Sequence, residues 1–477
     1  MTRGAALVVL GACASPPPVV EPVVDVPQND SASAFPLDQL TMSIAHEGST
    51  VDLASASFTH GQTPELRGIP FGDDLVMHLT GFVGTGEFAY GRTCSFAIAA
   101  GGPVPQPHLF FSREVKFATL AAMPELRRNG NAITYHDGSG LFVGGVDASG
   151  TAVPDVERFD PRTGELRPLA TVAPRVGDIA ATVGTGSDAQ IALIGGLDPT
   201  TGTGASFVEL LEADGPPQRR VQMLPDGNMS RVGLTATTLT DGRVIAIGGM
   251  MPPSGPPAAD VDEVTLANGS AEVRPLHAML QHPRYGHTAT RLGDDIGAGV
   301  LIAGGLDGTG APVPEAELFK PLSETFSPAV FSMVVPRSQH RAVRMPDGSV
   351  LIIGGVDQMG NPVATLELFT LDAGFVAIGQ LPAGAGVVDF TATTLPDGRV
   401  LLTGGRLVPN GPPTSAAFIA RLDPINGSVD VLPTDHLSAA RAGHQATLLC
   451  DGTVMLTGGT DTPAVLERYN PPALGRR

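Results

Sequence analysis

The chain has 477 residues, too many for a single hydrophobic core, and a net charge of -19 that would repel a phosphate backbone. Its 60 Gly and 43 Pro exclude long helices, while 42% hydrophobic and 16% charged residues exclude wholesale disorder. Cys13, Cys94 and Cys450 are too few for a disulfide-dense scaffold and fit no zinc spacing; with no Trp and only four Tyr, a sugar-stacking cleft is disfavoured.

Residues 1–13, MTRGAALVVLGAC, begin with Arg3 and continue as an apolar run. That run falls well short of the roughly 20 residues a spanning helix needs, so it reads as an export signal. Leu10-Gly11-Ala12-Cys13 resembles a bacterial lipobox, which implies lipid on Cys13 and membrane contact through that lipid alone. Ala14 directly after Cys13 favours an outer membrane. Residues 14–38 are Pro-rich and read as an extended tether. Residues 39–113 show short alternating stretches punctuated by Gly and Pro, at Thr41–Ile44, Val51–Phe58, Leu75–Phe82, Phe88–Ile98 and Leu109–Ser112. Period-two alternation of this kind predicts a small β-sandwich-like domain.

From residue 114 onward the chain repeats. An apolar strand runs into a Gly-Gly pair whose first member is Gly144, Gly195, Gly248, Gly304, Gly354, Gly404 or Gly458, at spacings of 51, 53, 56, 50, 50 and 54. The flanks TATTLTDGRVIAIGG, RAVRMPDGSVLIIGG, TATTLPDGRVLLTGG and QATLLCDGTVMLTGG each read as strand, Asp-Gly turn and strand. A third strand follows in VERFDPRTGEL, AELFKPLSETF and LELFTLDAGF. A period near 50 with strands throughout predicts propeller blades.

These features resemble the kelch family, whose members include eukaryotic adaptor domains, galactose oxidase and bacterial sialic-acid epimerases. The resemblance covers about three-quarters of the chain, though the Trp usual in the fourth strand is missing. It implies an all-β fold: a seven-bladed kelch-type β-propeller over residues 114–477, preceded by the small β domain. The last repeat ends after its third strand, so Val115–Leu120 is expected to close the ring as its fourth. Close backbone approach near the axis explains the glycines.

Several residues recur in register. Asp147, Asp198, Asp307, Asp357 and Asp461 follow the Gly-Gly pairs on one face. They are read as Asx-turns, with a calcium-binding ring as the alternative. His287, His340 and His444 begin first strands and are read as packing residues bonded to backbone rather than as a metal site. Seventeen or twenty residues before the first glycine stand Arg127, Arg175, Arg231, Arg284, Arg337 and Arg441. Third strands carry Glu157, Glu209, Glu263, Glu317, Glu367 and Glu467, so most blades are expected to hold a two-pronged Arg–Glu pair. Blade six lacks both, with Val387 and Ala420 taken as its equivalents. Cys94 and Cys450 are expected to form a disulfide, since export favours oxidation and lipidation removes Cys13.

A galactose-oxidase-like copper radical site needs two Tyr, two His and a Cys. Tyr285 with His287 is a close Tyr/His pair in the sequence. No GxSxG, HExxH or sialidase Asp-box is present. The chain thus reads as a monomeric, exported, lipid-anchored binding or scaffold protein, with no catalytic residue or cofactor assigned. Its ligand would be a protein or glycan held by loops on a propeller face. The alternative is a carbohydrate-acting enzyme of the oxidase or epimerase kind.

Overall fold

The computed structural model describes residues 19–27, 37–59, 62, 65–122, 127–214, 221–225, 229–252, 254–267, 270–327, 331–423, 426–459 and 465–472. The export signal with Cys13, most of the expected tether, and Asp461 lie outside them. Seven sheets of about four strands each form the blades of a β-propeller. Blade five is typical, with strands Arg341–Arg344, Val350–Ile353, Thr365–Thr370 and Gly374–Gln380 paired antiparallel in chain order. The second strand is buried in every blade, as in Val350-Leu351-Ile352-Ile353, because neighbouring blades cover both its faces. The apolar core therefore lies between blades rather than in one central body.

Blade seven takes its fourth strand from far upstream: Lys116–Ala122 pairs antiparallel with Val465–Asn470. The strand starts one residue later than the sequence suggests because Val115 sits in a left-handed turn, φ 60°. Phe117 packs on Tyr469 with ring centroids 4.8 Å apart.

The glycine pairs hold adjacent blades together. Both members have positive φ in all seven pairs, from 57° at Gly404 to 91° at Gly249. The second donates its N–H to the next blade, as from Gly249 to Arg284 O at 2.9 Å and from Gly405 to Arg441 O at 2.8 Å. A Cβ on Gly354 would stand 2.6 Å from Val387 O of the next blade, so this close approach exists only because the side chain is absent.

Each arginine lies next to the glycine pair that follows it. Arg284 gives Nη2 to Glu317 at 2.8 Å and Nη1 to Gly304 O and Glu315 O at 3.2 and 2.8 Å. Glu317 also accepts the N–H groups of Gln281 and His282. The result is a knot joining the incoming connection, the second strand and the third strand. It is not the expected two-pronged fork, since the second guanidinium nitrogen serves main-chain carbonyls. Arg127–Glu157, Arg175–Glu209, Arg337–Glu367 and Arg441–Glu467 repeat it.

Blade three departs from the expectation. Arg231 pairs with Asp262 at 2.5 Å, while Glu263 faces Arg243 and Arg274. The reason is register. The acid must lie opposite the residue two before the first glycine, as Glu317 lies opposite Ile302, and in blade three that partner of Ala246 is Asp262. The same rule makes Phe418, opposite Leu402, the equivalent in blade six, rather than Ala420.

The N-terminal domain has one main sheet, in the order Asp52–Thr59, Gln39–His46, Gly72–Val83, Gly86–Arg92 and Ser112–Arg113, with Phe96–Ile98 also on Gly72–Val83. Part of the expected tether is built into it. Val20 is buried and bridges Leu66, and Val23–Asp25 pairs parallel with His108–Phe110. Val20 enters the core beside Leu109 and Phe111, while Val23 and Val24 stay exposed and are held by strand pairing.

This domain is fastened to the closing blade. Cys94 and Cys450 are bonded, with Cα atoms 5.0 Å apart and 356 residues between them. Asn470 Nδ2 donates to Tyr90 O at 2.7 Å and Ser112 O at 2.9 Å. Arg468, paired with Asp451, lies over the Phe110 ring at 4.1 Å.

Two outcomes follow for stability. Arg284→Ala or Glu317→Ala should each cost about 3 kcal/mol by leaving a buried charge unpaired. Arg284→Val with Glu317→Phe, the apolar solution of blade six, should cost less than the two single changes summed, as read by denaturant midpoints. Replacing Cys94 and Cys450 by Ser should lower unfolding free energy by about 3–5 kcal/mol in the chain-entropy account, with no such loss if the bond leaves the native clamp untouched.

Candidate functional site

The first strands of the seven blades converge on the axis, around a cavity of about 460 Å³ lined by those of blades one, two, three, six and seven. Each carries Ala second in the strand: Ala132, Ala180, Ala236, Ala289, Ala342, Ala392 and Ala446. A larger residue would narrow a neck where seven strands converge. The alanine was visible in every flank quoted above but had no assigned role there.

Just above this ring, on the double-glycine face, the first residue of each strand meets a residue of the next blade. Three of these seams join a threonine to a histidine. Thr235, Thr288 and Thr391 hydroxyls bond His287, His340 and His444 Nε2 at 3.0, 2.9 and 3.1 Å. The histidines are thus bonded to side chains of the preceding blade, not to backbone as expected. Burial, helped by nearby Arg284 and Arg337, pushes His287 and His340 down to about 3, so the imidazoles are neutral. Asn131 donates to Asp178 at 3.3 Å, Gln445 reaches Asn131 O at 2.7 Å, and Ile179 packs in one cluster with Leu234.

The seam between blades five and six differs. Here the pair is Arg341 and Phe390, and Arg341 Nε donates to Phe390 O at 2.9 Å. Phe390 is buried and offers no polar atom from its side chain, so the guanidinium is not consumed by the seam. Arg341 is exposed to solvent, and its charge is felt at His444 two blades away, which places it at the channel mouth. Among the described residues no carboxylate lies within ion-pair distance of it; Asp389, the nearest opposing charge, bonds Arg406 Nε at 3.2 Å.

The residue two before each first strand lies on the rim of the same mouth. It has positive φ in all blades. Four are glycines, Gly177, Gly233, Gly286 and Gly443, at 62° to 73°. The other three are Asn129, Gln339 and Asp389, at 54°, 56° and 55°. The conformation is imposed by main-chain bonds around the mouth, such as Gly443 N to Asp389 O at 2.8 Å and Asn129 N to Gly443 O at 2.7 Å. A side chain in this region costs about 1 kcal/mol or more, most for Gln339, which lacks the local bonds of Asn and Asp. Blade six also has Arg406 where the other described blades have Val146, Leu197, Met250, Leu306 and Val356. Departures from the repeat therefore gather on one arc, around blades five and six. Rule-breaking at one place in a regular scaffold marks a site.

The aspartate loops lie outside this mouth. Asp147 accepts from Ser149 N and Thr151 N at 2.8 and 2.9 Å, and Asp307 and Asp357 repeat the pattern, as does Asp198 with Thr200 and Thr201. Their carboxylates shape their own loops. Among the described residues no three His, Cys, Asp or Glu side chains converge on a point where a metal could sit.

No known protein-family model matches the chain, and no curated protein matches it in sequence. Solved structures do match in shape. A fungal alcohol oxidase of the AA5 family, in complex with copper, superposes with TM-score 0.54 at 15% identity over 75% of this chain and 76% of that one. YjhT gives TM-score 0.44 at 12% identity over 73% and 95%. The first likeness shows the fold, a β-propeller.

The copper of that neighbour has no fitting set of residues here. Tyr135 and Tyr469 are buried and bonded to Ala189 O and the Thr434 hydroxyl, and Tyr90 bonds His78 in the N-terminal domain. The three channel histidines are committed to threonines, and Cys450 is in the disulfide. That leaves Tyr285 with no converging partner set.

Asp178 supplies a pH test of the neck. Burial, opposed by Arg175, raises its carboxyl to about 6 from 3.8. The folded value exceeds the unfolded one, so its protonated form favours folding below about 4 and that contribution is lost as pH rises through 6. Asp178→Asn should therefore gain stability relative to the parent, by about 3 kcal/mol at most, as pH goes from 4 to 7. A pH-independent difference between the two unfolding midpoints would contradict the assignment.

Proposed function

We propose that this is an exported, lipid-anchored binding protein whose ligand seat is the channel mouth on the double-glycine face. The observation that carries the reading is the arc of Gln339, Arg341, Asp389 and Arg406. At this arc Gln339 and Asp389 stand exposed in place of the rim glycine, Arg341 and Phe390 in place of a Thr–His seam, and Arg406 in place of an apolar residue. Stability sacrificed at one point of a regular scaffold is the usual mark of function. The Cys94–Cys450 bond supports an oxidising, extracytoplasmic compartment. The lipobox-like Leu10–Cys13 supports an anchor, with a protein or glycan partner reached across the propeller face.

The shape likeness to an oxidase motivates a second reading, a carbohydrate-acting enzyme. The missing copper set weighs against its oxidase form.

The test uses the purified mature protein with a glycan array and a panel of envelope and extracellular proteins. Gln339→Gly should raise stability by about 1 kcal/mol while weakening ligand capture at least several-fold. A Gln339→Gly protein that is more stable and binds unchanged would contradict the seat, and turnover of a captured sugar would favour the enzyme. Mass spectrometry of the mature N-terminus should find diacylglycerol on Cys13, and Cys13→Ser should release the protein from membranes.

A further inference from the structure

We infer that the channel mouth recognises a small singly charged carboxylate, with the Arg341 guanidinium as its anchor. The inference deepens the binding reading above and rests on it.

The argument begins with what the other seams do with charge. Six of the seven neck positions are neutral: Asn131, Ile179, Thr235, Thr288, Thr391 and Gln445. Each of the polar ones spends its hydrogen-bonding atoms within the neck. Only Arg341 brings a full charge, and the seam with Phe390 uses one of its five N–H groups. The buried knot arginines are different in kind, because each has its own carboxylate. Arg344, at the far end of the same strand, likewise has Asp294 at 2.7 and 2.8 Å. Among the seven neck positions Arg341 thus stands apart as a guanidinium with no carboxylate of the described residues within ion-pair distance.

The surroundings restrict the ligand. The protein carries a net charge of -19, and the loops outside the mouth bear Asp147, Asp198, Asp307 and Asp357, whose carboxyls are held below the usual range by hydroxyl, amide and N–H donors of their own loops. A polyanion laid across that face would meet these carboxylates, which disfavours acidic peptides and sulfated glycans. A compact monoanion can pass between them and reach the one unmatched cation. The low-dielectric walls of the neck strengthen that attraction. A planar guanidinium presents parallel donors that match a carboxylate better than a point charge would. Asp389 and Arg406 neutralise each other beside it, so the local excess is a single positive charge. This favours a monoanion over a phosphate dianion. The exposed Gln339 and Asn129 amides, on the same rim, can offer further polar contacts to the rest of the molecule.

The experiment titrates the full mature protein with acetate and with glucuronate, against acetamide and glucose as neutral counterparts and inorganic phosphate as a dianion. Binding is read by calorimetry and by the ligand-dependent rise in Tm. Glucuronate should bind at least tenfold more tightly than glucose, and acetate should raise Tm where acetamide does not. Arg341→Gln should abolish the carboxylate response and Arg341→Lys should keep part of it. Both variants should unfold near the parental Tm without ligand, since the seam bond to Phe390 O is one hydrogen bond. Equal binding of glucose and glucuronate that Gln339→Gly weakens and Arg341→Gln does not would keep the seat and overturn the charge assignment. So would a preference for phosphate. Carboxylate binding unaffected by any of Gln339→Gly, Arg341→Gln or Arg341→Lys would overturn both. No Tm response to either carboxylate overturns the inference alone.

Discussion

The channel exists only because Lys116–Ala122 completes the last blade. Each blade hydrogen-bonds within itself and touches its neighbours through side chains and the glycine-pair N–H. Seven such units laid in a row would form an arc with two open ends and no axis. Pairing of Val465–Asn470 with a strand some 350 residues upstream turns the arc into a ring. Such a long-range contact carries a large loop-closure cost. The chain offsets it at the same place. The disulfide to Cys450, the Arg468–Asp451 pair under Phe110, and Asn470 capping the carbonyls of Tyr90 and Ser112 all lie at this blade. The N-terminal domain is therefore part of the closure as well as a neighbour of it.

Within the ring, stability and specificity are separated in space. The Arg–acid knots are buried in six blades and tie connection to strands, so they fix blade geometry without facing any ligand. The neck seams use three Thr–His bonds, the Asn131 and Gln445 amides and apolar packing at Ile179 to bring first strands together. Once both systems are in place, one blade can dispense with them. Blade six replaces its knot by Val387 and Phe418 and its histidine by Phe390, both apolar and well packed. Desolvating a charge pair is expensive, so an apolar substitute of similar bulk can be nearly neutral in energy. That freedom is what lets Arg341, Asp389 and Arg406 stand at the mouth with their polar groups directed to other uses.

Much of this was legible in the residues. Seven Gly-Gly pairs at a period near 50 gave the blade number, because close approach at an axis leaves no other residue possible there. The missing fourth strand after Tyr469 pointed upstream to Phe117 for the same geometric reason. What escaped the sequence was register. Glu263 and Asp262 are adjacent, and only strand pairing decides which one faces Arg231. Ala420 and Phe418 differ in the same way. Val20 and Val23–Asp25 looked like tether because prolines surround them, while the burial of Val20 and the pairing of Val23–Asp25 depend on strands supplied by later residues. The candidate site was harder still. Gln339 and Asp389 replace glycine in a segment whose glycines carried no assigned role, so the substitution had no meaning until the positive φ was seen. Arg341 reads as one more variable residue until its neighbour is known to be Phe390 rather than histidine.

Hydrogen–deuterium exchange on the full protein tests the ring most directly. With the ring closed by its N-terminal strand, the amides of Lys116–Ala122 should exchange as slowly as those of Val465–Asn470, and both should open together as one cooperative unit. Fast exchange in Lys116–Ala122, with Val465–Asn470 protected or not, would mean that the seam is not formed and would contradict the account.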